Sequence, residues 1–173
     1  LIKVDNPSLV QRQSEDALKK MKFNAMKRRL QKYRDLNRDI DNEIERLERL
    51  EERAISPSSS NLTGMPKSSG FQDKIAEAAA RITELEDEIR DLMKIRDLER
   101  FKIERMVKTL SKADERAVIR MRYIDAEDWE QIQFMMFGGK EDYEDKIDNY
   151  KQRVFRLHNS AIANLSENNI ETD

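Results

Sequence analysis

A chain of 173 residues with 39% charged side chains, four Gly, three Pro and 6% aromatics has little material for a sheet or a large globular core. With no Cys and a single His it lacks the ligands for zinc ribbons and iron–sulfur clusters, cysteine nucleophiles and histidine-based triads. The net charge of −2 hides segregation: residues 19–34 hold eight Lys or Arg and no acid, whereas Glu141, Asp142, Glu144 and Asp145 crowd a short acidic stretch.

These bounds predict an all-α, non-enzymatic protein that needs no cofactor and no metal. No run of about 18 apolar residues is present to cross a bilayer, and the opening segment L-I-K-V-D-N-P lacks the apolar core of a signal peptide. A cytoplasmic protein without a membrane partner is expected. Asn61 and Asn164 match the glycosylation pattern, which has no reader there.

The first predicted element is one long amphipathic helix from about Ser8 to Arg53. Leu18, Met21, Met26, Leu30, Tyr33, Leu36, Ile40, Ile44, Leu47 and Leu50 recur mostly three or four apart. Near its end I-E-R-L-E-R-L-E-E-R interleaves Glu with Arg, the mark of a solvated face. The segment Ser56–Gly70, with two Pro, two Gly and many Ser, cannot continue a helix and reads as a loop longer than an ordinary helix–helix turn.

A second helix is predicted from about Gln72 to Leu110. It carries Ile75, Ala79, Ile82, Leu85, Ile89, Leu92, Ile103, Met106 and Leu110, and Ile95 and Leu98 mark a phase shift. At ~1.5 Å per residue each long helix would reach roughly 60 Å, and an antiparallel, coiled-coil-like hairpin buries one stripe against the other. Apolar positions left over offer a surface for a second copy, so a homodimer is one expectation.

Two domains follow from this reading, a hairpin over 1–110 with its loop at 56–70 and a small helical unit over 111–173. In the latter, S-K-A-D at 111–114 is a capping-box pattern that starts a helix of about 112–124. Val118, Ile119, Met121 and Ile124 supply its apolar side. Asp128 can cap the next helix, with Gln131 at the box position, and Gly138-Gly139 ends it.

A last helix begins between Lys146 and Lys151. Val154, Leu157, Ala161 and Leu165 face a small core, and Lys151, Gln152, Arg153, Arg156 and Asn159 fall on other faces. Arg and amide side chains are what base-edge readout in a DNA groove requires, while Lys and Arg also hold phosphates. These five residues are the candidate DNA contacts.

Read together, D-E-R-A-V-I-R-M-R-Y-I at 114–124, D-W-E-Q-I at 128–132 and R-V-F-R-L-H-N-S-A-I-A-N-L at 153–165 resemble region four of bacterial sigma factors. The long helical first half, the M-P-K loop at Met65–Lys67 and the ending R-L-H are similar to small phage and prophage regulators of the ArpU/RinA type. The resemblance implies a helix-turn-helix that binds double-stranded promoter DNA, late-gene transcription together with RNA polymerase, and the cytoplasm of a bacterial host. By position it makes Gln152, Arg153 and Arg156 the base readers and has Trp129 and Ile132 pack the supporting helix. Gln133 stands where that helix usually has a small residue. G-K-E-D-Y-E-D-K-I-D-N-Y adds about ten residues to the tight turn of the motif.

Several residues carry two readings. Trp129 and the run Phe134–Phe137 are either the core of a small trihelical unit or a partner patch, with core the default. His158 is expected as a partly buried helix residue or phosphate donor rather than a metal ligand. The Lys19–Arg34 run serves packing, phosphate binding or both, and the acidic insert is a solvated loop or a contact for polymerase. A second function class is a coiled-coil adaptor that binds polymerase or another protein without reading DNA. It rests on nine Lys or Arg against fourteen Asp or Glu from Ser111 onward.

Overall fold

The computed structural model describes residues 7–55 and 70–168. The described residues form five α-helices and no strand, the all-α class expected from composition. They are α1 (Pro7–Ile55), α2 (Gly70–Lys108), α3 (Ala113–Ile119), α4 (Trp129–Phe137) and α5 (Ile147–Asn168). None is long and apolar enough to cross a membrane. The loop over 56–69, with Met65–Lys67, lies outside the described residues.

The chain divides into two compact units, Leu1–Arg34 with Arg100–Asp173, and Asp35–Glu99. This division differs from a boundary at 110/111, and hydrophobic burial explains why. Met26, Leu30 and Tyr33 of α1 and Ile103, Val107 and Leu110 of α2 belong to the same core as Val118, Ile132, Val154 and Leu165. The short helices bury too little apolar surface among themselves, so the ends of the two long helices complete their core.

In the Asp35–Glu99 unit Ile40 of α1 and Leu85 and Ile89 of α2 are buried. Pairs such as Arg46–Glu43 and Arg81–Glu77 line the solvent face as expected. Exposed pairs of this kind contribute little. The phase shift read at Ile95 and Leu98 is real, since both remain more than half exposed. Leu18 and Met21, counted in the apolar stripe of α1, are also exposed. At 100° per residue Met21 lies well round the helix from the face shared by Met26, Leu30 and Tyr33.

The junction between α2 and α3 departs from the capping-box reading. The cap position is Lys112, which makes no side-chain cap bond, and Ser111 does not cap. The Arg116 guanidinium instead donates to the carbonyls of Leu110 at 2.6 Å and Ser111 at 2.9 Å. A cation there satisfies backbone acceptors in the turn that joins α2 to α3. α3 itself is shorter than expected. It passes into a π-helical turn over Arg120–Ile124, marked by the bond from Asp125 N to Arg120 O at 3.0 Å. The wider turn carries the Tyr123 side chain into the core, at 2% exposure.

Candidate nucleic-acid interface

α5 repeats buried residues at helical spacing because Val154, His158, Ala161, Ile162 and Leu165 share one side. Leu157, expected in that row, is only half-buried, and His158 takes the inward position. All five candidate contacts, Lys151, Gln152, Arg153, Arg156 and Asn159, are exposed. Spacings of four and three put Gln152, Arg156 and Asn159 on one face, opposite the buried side. Lys151 and Arg153 fall to either flank of that row. The Arg153 guanidinium lies over the Phe137 ring, 4.9 Å from its centroid, so it helps hold α4 as well as facing solvent.

α4 supports this helix through three devices. Asp128 caps it, its carboxylate accepting from Gln131 N at 2.7 Å, as the sequence predicts. Trp129 packs against Phe155 and edge-on against His158, each with ring centroids 4.9 Å apart, while Ile132 is fully buried. Gln133, the misfit of the sequence comparison, is buried and donates to Ile147 O at 2.8 Å, tying α4 to the first turn of α5. Of the F-M-M-F run only Phe137 is fully inside, and Phe134 and Met135 are more than half exposed.

The Gly138-Gly139 pair ends α4 without a left-handed residue, for Gly138 has φ −60°. Its role is close approach. A Cβ there would sit 2.6 Å from Phe134 O and 2.7 Å from the Phe134 ring, whereas one on Gly139 meets nothing within 4 Å. Gly138→Ala is therefore expected to lower stability by about 1–2 kcal/mol and Gly139→Ala to change it by less than about 0.5. Parallel urea melts of the two variants check the contrast.

The acidic insert is a folded structure rather than a plain solvated loop. A 3₁₀ turn at Glu144–Lys146 leads straight into α5. Tyr143 and Tyr150 stack with centroids 5.8 Å apart, and Tyr150 stacks on Phe137 at 5.0 Å. Asp142 accepts from Lys146 Nζ and Tyr150 Oη, both at 2.7 Å. Those two donors, Lys146 foremost, bring its carboxyl down to about 2.

Two polar clusters beneath α5 escaped the reading of the sequence. Glu115 of α3 is fully buried and accepts from Ser160 Oγ at 2.7 Å, Asn164 Nδ2 at 2.9 Å and Lys112 Nζ at 3.1 Å. Burial by itself would raise its pKa, but the three donors outweigh it and leave the carboxyl below its ordinary value. The available signal was Ser160 and Asn164, spaced by four on a helix with an acid upstream. The second cluster is His158, whose Nε2 lies 2.9 Å from Tyr123 Oη. Its Nδ1 lies 3.4 Å from Asn159 Oδ1. A neutral ring that accepts from the phenol and donates toward the amide satisfies both contacts. Burial is the main cause that pushes His158 down to about 4. This buried placement replaces the role of phosphate donor.

No protein-family model matches the chain, and no curated protein or solved structure matches it. The geometry of α4 and α5 therefore carries the functional argument. Among the described residues no group of His, Cys, Asp or Glu could hold a metal ion.

Proposed function

We propose that this protein is a sequence-specific DNA-binding transcriptional regulator in which α4 supports α5 and α5 enters the major groove. The observation that carries this reading is the exposed row Gln152, Arg156 and Asn159 on a helix whose opposite side is locked into the core. An amide and a guanidinium in one row provide the paired donors and acceptors that base edges present in the major groove. The resemblance to sigma region four and to ArpU/RinA-type regulators extends the proposal to late-gene promoters of a phage, with RNA polymerase as a second partner.

Selection of bound sequences from random duplex DNA tests the reading. Arg156→Ala is expected to weaken binding to the enriched sequence by ~1–3 kcal/mol and to relax preference at one base pair. Lys151→Ala should weaken all duplexes alike and reduce the salt slope by roughly one ion. Arg153→Ala also removes the contact with Phe137, so its binding loss is accompanied by a stability loss of about 0.5–1 kcal/mol.

The adaptor reading keeps one supporting observation, the acidic balance from Ser111 onward. A protein that enriches no duplex sequence but copurifies with RNA polymerase would favour it.

A further inference from the structure

The proposed reading helix sits in an acidic neighbourhood, with nine Lys or Arg against fourteen Asp or Glu from Ser111 to the end of the chain. Duplex affinity is set chiefly by the number of phosphates neutralised. Three cations on α5 beside Asp148 and the 141–145 acids supply little of that. The largest acid-free block of positive charge lies instead on α1, where residues 19–34 carry eight Lys or Arg.

This block is part of the same compact unit as α5. Its inward face is occupied by Met26, Leu30 and Tyr33, which are buried. Lys20, Asn24, Lys27 and Arg28 are exposed. Lys20, Asn24 and Lys27 follow each other at spacings of four and three, so they form one row of donors without an acid. The two elements meet at a groove. The row Gln152, Arg156 and Asn159 continues four residues on to Ala163, which lines that groove together with Lys19, Lys20 and Lys22 of α1, with Glu15 and Glu167 also on its walls. Farther along, Arg34 donates to Ala126 O at 3.2 Å, beside the start of α4. The basic segment thus runs from the end of the α5 reading row to the loop that precedes the supporting helix.

We propose that the α1 face formed by Lys20, Lys27 and Arg28 binds the phosphate backbone of the same DNA duplex whose bases α5 reads. This deepens the function proposed above and rests on it for the identity of the duplex. Contacts to the backbone by one element and to base edges by another would let the acidic carboxy-terminal helices provide selectivity while α1 provides affinity.

The test uses the full chain, a labelled random-sequence duplex and a duplex carrying the enriched site, titrated over a series of salt concentrations. The triple variant K20Q/K27Q/R28Q is expected to lose affinity for both duplexes alike. Its salt slope should become shallower by about 2–3, near 0.9 per phosphate contact removed. The variant K20R/K27R/R28K, which keeps the charge, should retain the parent slope. An unchanged slope in the triple variant, with Arg156→Ala still losing preference, overturns the α1 surface and leaves the reading helix standing. A shallower slope in the triple variant with no effect of Arg156→Ala supports α1 and removes α5 as reader. Failure of the parent to bind either duplex overturns both, including the case in which it binds anionic lipid vesicles or single-stranded RNA instead.

Discussion

Glu115→Ala is expected to be the most destabilising single substitution in the carboxy-terminal helices, lowering unfolding free energy by about 3–5 kcal/mol. The carboxylate is fully buried and is the shared acceptor for Ser160, Asn164 and Lys112. Its removal strands the hydroxyl and the amide on α5 and opens a void beneath α3, and each stranded donor costs about 1–3 kcal/mol. Glu115→Gln keeps the volume and one acceptor oxygen but loses the charge, so it should fall between the parent and the Ala variant. Urea melts of the three proteins give the ranking. Equal stability of parent and Ala variant would show that the α3–α5 clamp contributes nothing.

Acidification is expected to destabilise the folded chain between pH 6.5 and about 4 by up to ~3 kcal/mol, through His158 alone in the upper part of that window. The sign follows from burial. The ring is held neutral in the folded protein down to about 4, whereas the unfolded chain takes up the proton near 6.5. Unfolding therefore binds a proton in this interval, and stability rises with pH across it. The chain has one His, so the slope above pH 5 can be assigned to it without a survey of candidates. His158→Gln should be less stable than the parent at pH 7.5, because the ring packs against Trp129 and Tyr123, yet should lack the slope. A parent protein whose urea midpoint is the same at pH 7.5 and 5 would refute the buried neutral ring. Glu115 acts at lower pH. Its depressed pKa contributes stability that is present above the ordinary carboxylate range and is lost as pH falls through the folded value.

Both effects bear on the proposed interface, since they act under α5. Loss of the Glu115 clamp frees the side carrying Ser160 and Asn164, and a charged His158 would give up the bond it accepts from Tyr123 and be repelled by Lys27 and Arg122. On the proposed function, either change reduces duplex binding without touching a residue of the exposed row. Circular dichroism would still report helix, because α1 and α2 hold most of it.

The helices were legible because their signals are local. Apolar residues recur every three or four positions in α1, α2 and α5, Asp128 stands where a cap is needed, and Gly138-Gly139 marks the end of α4. The exposed row on α5 was legible for the same reason, since period alone separates Gln152, Arg156 and Asn159 from Val154 and Ala161. The limits of α1 and α2 moved by one or two residues, as expected of frayed ends, whereas α3 stops at Ile119 because the π-helical turn takes over there. The cap at Ser111 does not form because α3 starts one residue later, after Lys112, and nothing local reveals that Arg116 reaches back to the carbonyls of Leu110 and Ser111 in the turn before it.

What the amino-acid order determined by itself was the all-α class, the pairing of two long helices and the segregation of positive charge into α1. These depend on residue type, spacing and short-range sterics. The tertiary structure alone decided that the ends of α1 and α2 complete the core of the carboxy-terminal helices, that Glu115 and His158 lie beneath α5, and that Arg153 rests on Phe137. It also decided that Gln133 and the acidic insert fasten α4 to the start of α5. Each of these joins residues distant along the chain through burial of apolar surface and satisfaction of buried polar atoms, and neither quantity is defined until the chain has closed on itself.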